Sequence, residues 1–378
     1  MITIILFLPF LFYIISIGTL IYGFTKIKNY DAIGLKPKTS FTIVVPFRNE
    51  AENLAILLES ISKMNYPTDL FEVILVDDES DFKFQISDFR PERPRTGKAF
   101  QISQIDNLRV SNSPKKDAIS TAMQVAKNEW IISTDADCKV PENWVLSLDN
   151  YIQTHDVAMI AGAVTYECNN SFLQQFQQLD LASLQGATMG SFGIGKGFMC
   201  NGANFAYTKS LFKALNGFEG NDAIASGDDV FLLQKAILSR NFGTKKVHYL
   251  KSENNIVTTK PVENWKSLFH QRVRWASKTS SYQSYFGKLL GLLVFAGNLI
   301  VMLSYGFWIT GFISFSAFLM LIFSKFIVDS ILIYQTHQFL TQQKIRYLVV
   351  SSLLYPFFSV GVALYSLFGK YEWKGRRF

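Results

Sequence analysis

The stretch Ile131–Pro141, IISTDADCKVP, is an apolar run that stops at two carboxylates, Asp135 and Asp137, one residue apart. Like charges that close repel, and taking them out of water is costly unless something positive stands between them. The run therefore reads as a buried strand that delivers two acids to a cationic partner. The chain upstream repeats the pattern. FTIVVPF (Phe41–Phe47) is a β-branched run, and FEVILVDDES (Phe71–Ser80) is a second strand ending in Asp77 and Asp78. Between them, NEAENLAILLESISKM places Leu54, Leu57, Leu58 and Ile61 at helical spacing.

Further along, LRVSNS (Leu108–Ser113) is expected as a third strand. KKDAISTAMQVAK (Lys115–Lys127) is expected as a helix with Ala118, Ala122 and Val125 on one side. PENWVLSLDNYI opens with Pro141 at a plausible first helical position, and DVAMIAGAV (Asp156–Val164) is another strand. Strands alternating with helices predict a mostly parallel, Rossmann-like α/β sheet with helices on both faces. In such sheets ligands bind beyond the carboxyl ends of the strands. One acidic strand end can be a simple helix cap; two suggest a shared site.

The rest of the chain is of a different kind. Of 378 residues, 49% are hydrophobic and 34 are Phe, and the excess sits at the two ends. Ile2–Phe24 is an uncharged apolar run long enough to cross a bilayer, and it lacks the basic start and small-residue cleavage site of a signal peptide. Lys26, Lys28, Lys36 and Lys38 follow it, which predicts a cytoplasmic middle domain. Three more spans are expected near 287–309, 312–334 and 346–368. The middle one holds Lys325 and Asp329 four apart, read as an internal ion pair.

Three spans after a cytoplasmic domain put the basic tail GKYEWKGRRF outside, whereas its charge favours the inside. A re-entrant or surface-lying middle span would resolve the conflict and leave the tail cytoplasmic. The three cysteines, Cys138, Cys168 and Cys200, show no metal or CxxC spacing and suit a reduced compartment. The net charge of +7 is read as attraction to anionic lipid, with no nucleic-acid partner.

The second half adds more acids and a basic helix. SGDDVFLLQKAI (Ser226–Ile237) sets Asp228 and Asp229 at a helix start, where capping alone is the plainer reading. VENWKSLFHQRVRWASKT (Val262–Thr279) is a basic, aromatic helix just before the apolar segments. Its Gln271, Arg274 and Trp275 share a face, which taken alone suits a helix lying on lipid. SFLQQFQQLDLASLQ (Ser171–Gln185) reads as an amphipathic helix, either on the membrane surface or packed in a core. CNGANFAYTKSLFKALNGF (Cys200–Phe218) reads as a substrate wall or a tight structural turn.

Together VPFRNE, VDDES, TDADC, SGDD and QRVRW resemble, in order, the motifs of the membrane-bound family 2 glycosyltransferases. That branch includes cellulose, chitin and hyaluronan synthases and ceramide and hopanoid glucosyltransferases. The resemblance covers about Phe41 to Lys278 and implies a GT-A fold with transmembrane helices at both ends. It divides the chain into an N-terminal transmembrane helix (1–25), a cytoplasmic GT-A domain (40–260), an interfacial helix carrying QxxRW (261–285), C-terminal transmembrane helices (286–370) and a basic tail (371–378).

The resemblance also implies roles. Asp78, with Asp77, would hold the uracil end of a UDP-sugar. Pro46, Arg48 and Glu50 would line the same pocket, and Lys115 or Lys116 would reach the nucleotide or its phosphates. Asp135 and Asp137 would hold a divalent cation, Mg²⁺ or Mn²⁺, facing the diphosphate. Arg274 would brace the departing diphosphate, Trp275 would offer a platform to the acceptor, and Gln271 would hydrogen-bond the donor. Asp229 would be the base, with Asp228 where the family more often has Glu.

The function implied is inverting transfer to a lipid or lipid-linked acceptor at the cytoplasmic membrane face. YEWKGRRF also looks like the W-x-G-R tails of lipid-type members. A processive polysaccharide synthase is the alternative, one whose relatives carry more helices or extra domains. A glycoside hydrolase, with paired carboxylates but no nucleotide pocket, and a non-catalytic membrane scaffold are further rivals.

Overall fold

The computed structural model describes residues 2–31, 34–81, 84, 86, 100–221, 226–368, 372–373 and 376–377. By packing the chain forms two units: an α/β unit, Lys28–Glu167 with Met199–Lys260, and a helical unit, Met1–Ile27, Cys168–Phe198 and Pro261–Phe378.

The α/β unit is built on a seven-stranded sheet of β1 (Phe41–Phe47), β2 (Phe71–Asp77), β3 (Gln101–Asp106), β4 (Trp130–Ser133), β6 (Met159–Gly162), β8 (Phe205–Thr208) and β9 (Val247–Leu250), in the order β3-β2-β1-β4-β8-β6-β9. All neighbours run parallel except β8, which is antiparallel to β4 and β6. A small second sheet holds β5 (Cys138–Lys139), β7 (Val164–Tyr166) and β10 (Val257–Thr259). Helices α2 (Ala51–Ser62), α3 (Pro114–Val125), α4 (Trp144–Thr154), α6 (Lys209–Ala214), α7 (Asp228–Leu238) and α8 (Gly243–Lys246) complete the unit.

Strands covered on both faces need unbroken apolar runs. Accordingly every residue of β2 and β4 is buried, and Leu54, Leu57, Leu58 and Ile61 of α2 are buried together with Ile43, Val45, Val73 and Leu75. Pro46 has no N–H for a ladder, and it lies where β4, paired with β1 only through Val44, has already left.

Three local expectations are corrected. The third strand is Gln101–Asp106, not Leu108–Ser113. The N–H groups of Val110 and Ser111 both donate to Asp117 Oδ2, at 3.1 and 3.0 Å, so they are turned away from any ladder. Helix α4 begins at Trp144 with Asn143 at its cap, and Pro141 instead closes a turn in which its carbonyl accepts from Trp144 N–H at 3.0 Å. On α3, Ala118 and Ala122 are buried as expected, but Val125 is exposed.

The helical unit contains α1 (Ile2–Lys26), α5 (Phe172–Gly193), α9 (Trp265–Ala276), α10 (Tyr285–Ile309), α11 (Phe315–Leu340) and α12 (Leu348–Phe368). Four of them, α1, α10, α11 and α12, are long and apolar enough to cross a membrane. α11 is unbroken, and its Lys325 pairs with Asp329 as expected, with the Tyr13 hydroxyl also donating to Asp329 at 2.5 Å.

Helix α5 is not amphipathic. Gln175 to Ala182 are buried without interruption, and the helix packs against α1 and α11. A Cβ on Gly190 would stand 2.4 Å from the Leu20 carbonyl oxygen, and one on Gly23 would stand 2.0 Å from the Gly190 oxygen. Small residues at that crossing bring the two backbones into contact. Of the basic tail 371–378, only the pairing of Glu372–Trp373 with Arg376–Arg377 is described.

Candidate active site

The parallel strands β1, β2 and β4 end on one edge of the sheet, so the acids that follow β2 and β4 stand at the same edge, one strand apart on either side of β1. Neighbouring strands lie about 4.8 Å apart, which puts the two acidic ends roughly 10 Å from each other.

Beyond β2, Asp77 caps its own turn: its Oδ1 accepts from Ser80 N–H at 2.9 Å. Asp78 is buried and has a different set of neighbours. It accepts from Asn107 Nδ2 at 2.7 Å and pairs with Arg109 at 3.4 Å. Arg48, following β1, donates to the Asp78 backbone oxygen at 3.0 Å and faces Glu79 at 3.6 Å. The structure thus brings Arg48 and Asp78 together. Glu50 sits at the start of α2, where its carboxylate accepts from Asn53 at 2.5 Å. Neither Arg109 nor Asn107 belongs to a sequence motif, and the segment carrying Arg109 reads as a strand.

Beyond β4 a cationic side chain stands against the first of the two acids, Asp135. Lys115, near the start of α3, donates to Asp135 Oδ1 at 2.7 Å and lies 3.3 Å from Asp228 Oδ2. Burial alone would pull this lysine down; Asp135, Asp228, Asp229 and the hydrogen bond to Asp135 outweigh it and hold the ammonium above the ordinary lysine value. Lys116 goes elsewhere. Successive helical residues point about 100° apart, and the buried Lys116 donates to the Asn221 oxygen at 2.5 Å and lies over the Phe231 ring.

Asp229 is oriented by two backbone donors, Gly202 N–H at 2.8 Å and Val230 N–H at 2.7 Å. Gly202 leaves room there: a Cβ would stand 3.0 Å from Lys115 Nζ and 3.2 Å from Asp228 Oδ2. Cys138 follows the two acids, and its thiol is pushed up by burial and then by the Asp135 and Asp137 carboxylates. Nearby, Tyr207 is raised by burial and by Asp228, against the pull of Lys115. Asp135, Asp228 and Asp229, from far-apart parts of the chain, thus gather around one ammonium.

In the helical unit, Gln271 accepts from Arg272, and the Arg272 guanidinium lies 4.1 Å from the centroid of the Trp275 ring. Two of the three motif side chains are therefore joined through the arginine between them.

Residues 42–215 match the description Glycosyl transferase family 2, and residues 130–328, more than half of the chain, match Glycosyl transferase family group 2. The chain belongs to glycosyl transferase family group 2. A stretch of 123 residues of this glycosyltransferase is 28% identical to the poly(ribitol-phosphate) beta-N-acetylglucosaminyltransferase TarS of Staphylococcus aureus, covering 32% of this chain and 20% of that protein. The match thus spans about a fifth of the relative's length.

Among solved structures, the mannosyltransferase PcManGT from Pyrobaculum calidifontis, in complex with GDP-Man and Mn²⁺, superposes with a TM-score of 0.57 at 15% identity, over 97% of this chain and 96% of that one. Residues 1–349 of TarS with UDP-GlcNAc give 0.43 at 14% identity, over 90% and 96%. The mannosyltransferase likeness establishes the fold: this glycosyltransferase has a GT-A α/β unit, with long apolar helices at both ends of the chain, which fits a membrane protein.

Proposed function

We propose that this glycosyltransferase moves a sugar from a nucleotide-diphosphate sugar, a UDP-sugar, to a lipid or lipid-linked acceptor at the cytoplasmic face of a membrane, with inversion at the anomeric carbon. The observation that carries the reading is the gathering of Asp135, Asp228 and Asp229 around Lys115 at the strand ends, where α/β sheets take their ligands. The relatives support a nucleotide-sugar donor, since one was solved with GDP-Man and another with UDP-GlcNAc.

Asp78, with Arg48 and Arg109 beside it, takes the base end of the nucleotide; Asp77 holds the turn that presents it, and Pro46 and Glu50 belong to the same rim. Asp229 is the base. An alcohol attacks poorly until its proton is drawn off in the transition state, and the two backbone donors on Asp229 fix the direction in which its carboxylate can receive that proton. Attack from the face opposite the leaving group inverts the anomeric centre. Asp228 and Lys115 orient the reacting groups. Arg274, an always-charged planar fork, suits the departing diphosphate, with Gln271 and Trp275 serving donor and acceptor.

Asp135 and Asp137 offer the carboxylate oxygens that Mg²⁺ or Mn²⁺ takes together with substrate phosphates. Among the described residues no group of three or more His, Cys, Asp or Glu is placed to hold an ion by itself, so a cation there would need the donor's own oxygens to complete its coordination. Bound there, the ion supplies Lewis-acid neutralisation of the leaving diphosphate.

The test is turnover of radiolabelled UDP-glucose, UDP-N-acetylglucosamine and GDP-mannose by membranes containing the protein, with and without chelator. Label should enter the organic-extractable lipid fraction, and EDTA should stop it. Label appearing only in water-soluble polymer would refute the lipid acceptor, and no transfer from any donor would refute the reading as a whole.

A further inference from the structure

Within the helical unit, α5 grips the helix of Gln271, Arg274 and Trp275 at two points. At the approach to α9, Gln177 Nε2 donates to Val262 O and Val262 N–H donates back to Gln177 Oε1, each at 2.9 Å. Three residues further along α5, Asp180 Oδ2 accepts from Arg272 Nε at 2.5 Å, with both side chains buried. The same guanidinium donates through Nη1 to Gln271 Oε1 and lies over the Trp275 ring. Tyr355 of α12 stands beside Asp180 and Arg272.

A helix that merely rests on lipid turns its charges to water or headgroups. This one buries an arginine between α5 and its own motif residues. A buried ion pair of this kind is weak evidence of stabilisation, because the desolvation of both charges offsets their attraction. What it does supply is orientation: a planar fork can pair, donate and stack at once, which a lysine cannot.

We propose that Arg272 is a positioning residue: held by Asp180, it sets the orientation of Gln271 and Trp275 without touching the donor itself. This rests on the reading that α9 serves the diphosphate and the acceptor.

The experiment uses the full chain in lipid nanodiscs and the donor that wild type turns over. Arg272→Lys keeps a charge opposite Asp180 and removes the fork. It should lower kcat at least about tenfold, while the donor KM and the Kd for UDP with Mn²⁺ stay within about threefold and Tm is held. Asp180→Asn, the second variant, should lower kcat with the same KM and Kd pattern. A kcat within threefold of wild type in both variants overturns the proposal. So does a loss of kcat that merely follows a loss of Tm, which would make the pair a structural pin. Arg274→Ala separates the two failures. If it kept full turnover, the reading of α9 itself would fall and the positioning role with it; if it were inactive while Arg272→Lys and Asp180→Asn were normal, only the positioning role would fall.

Discussion

The chain contains two kinds of buried or half-buried ion pair. At the sheet edge, Lys115 and Asp135 have side chains 19% and 40% exposed, on the start of a helix and the loop after a strand. In the helical unit, Arg272 and Asp180 are 5% and 4% exposed, between helices; Lys325 and Asp329 lie one helical turn apart on α11 with Tyr13 as a third member. The chemistry is the same, an ammonium or guanidinium against a carboxylate, but the surroundings are not. Groups at the sheet edge reach solvent and can exchange one partner for another when a substrate arrives. Groups between the helices cannot, and so fix geometry instead of answering to a ligand.

Four measurements would break or sharpen that contrast, in order of decreasing effect. Asp229→Asn should reduce turnover by about a thousandfold or more, while UDP binding by calorimetry changes less than about threefold. Near-normal turnover would remove Asp229 as the base. Asp329→Leu should leave Lys325 without its carboxylate and cost about 3–5 kcal/mol of stability, read as a fall in the melting temperature in nanodiscs. An unchanged melting point would show that the helical pair exchanges partners as freely as the edge pair.

Asp137→Ala should weaken Mn²⁺-dependent UDP binding at least about tenfold and leave binding in EDTA unaltered. Equal loss in both conditions would mean a pocket defect rather than a lost cation ligand. The smallest effect concerns pH. Burial holds His248 below its ordinary value of 6.5, so the unfolded chain takes up a proton there first. That contribution to stability is complete above about pH 6.5 and is lost as the pH falls towards the lowered value. His248→Gln should flatten the melting temperature over that acid window, and a slope as steep as in wild type would assign it to other groups.

The sequence announces the parts of this fold that are buried on both faces. β1, β2 and β4 are apolar runs because helices cover both sides of the sheet, and four spans declare themselves by length and apolar content. β3 hides because it is an edge strand, QISQID, whose residues are half-exposed, so no apolar run marks it. α5 misleads because glutamines that suggest a wet face are buried among neighbouring helices. In the site, the acids were legible from their place at strand and helix ends. The choice between Lys115 and Lys116 was not, since adjacent residues on a helix differ only in direction. Arg109 and Arg272 were missed for a related reason: each is defined by a partner, Asp78 or Asp180, that lies 31 or 92 residues away.

The insertion of α5 bears on how the protein can be handled. The chain leaves the α/β unit after Glu167 and re-enters it at Met199, and what lies between belongs with the terminal helices. Trimming both apolar ends would therefore not liberate a tidy soluble enzyme. It would strip α1 and α11 from the flanks of α5 and leave the Gly190 face, shaped for another backbone, bare to water. A water-soluble version calls for bridging Glu167 directly to Met199 as well.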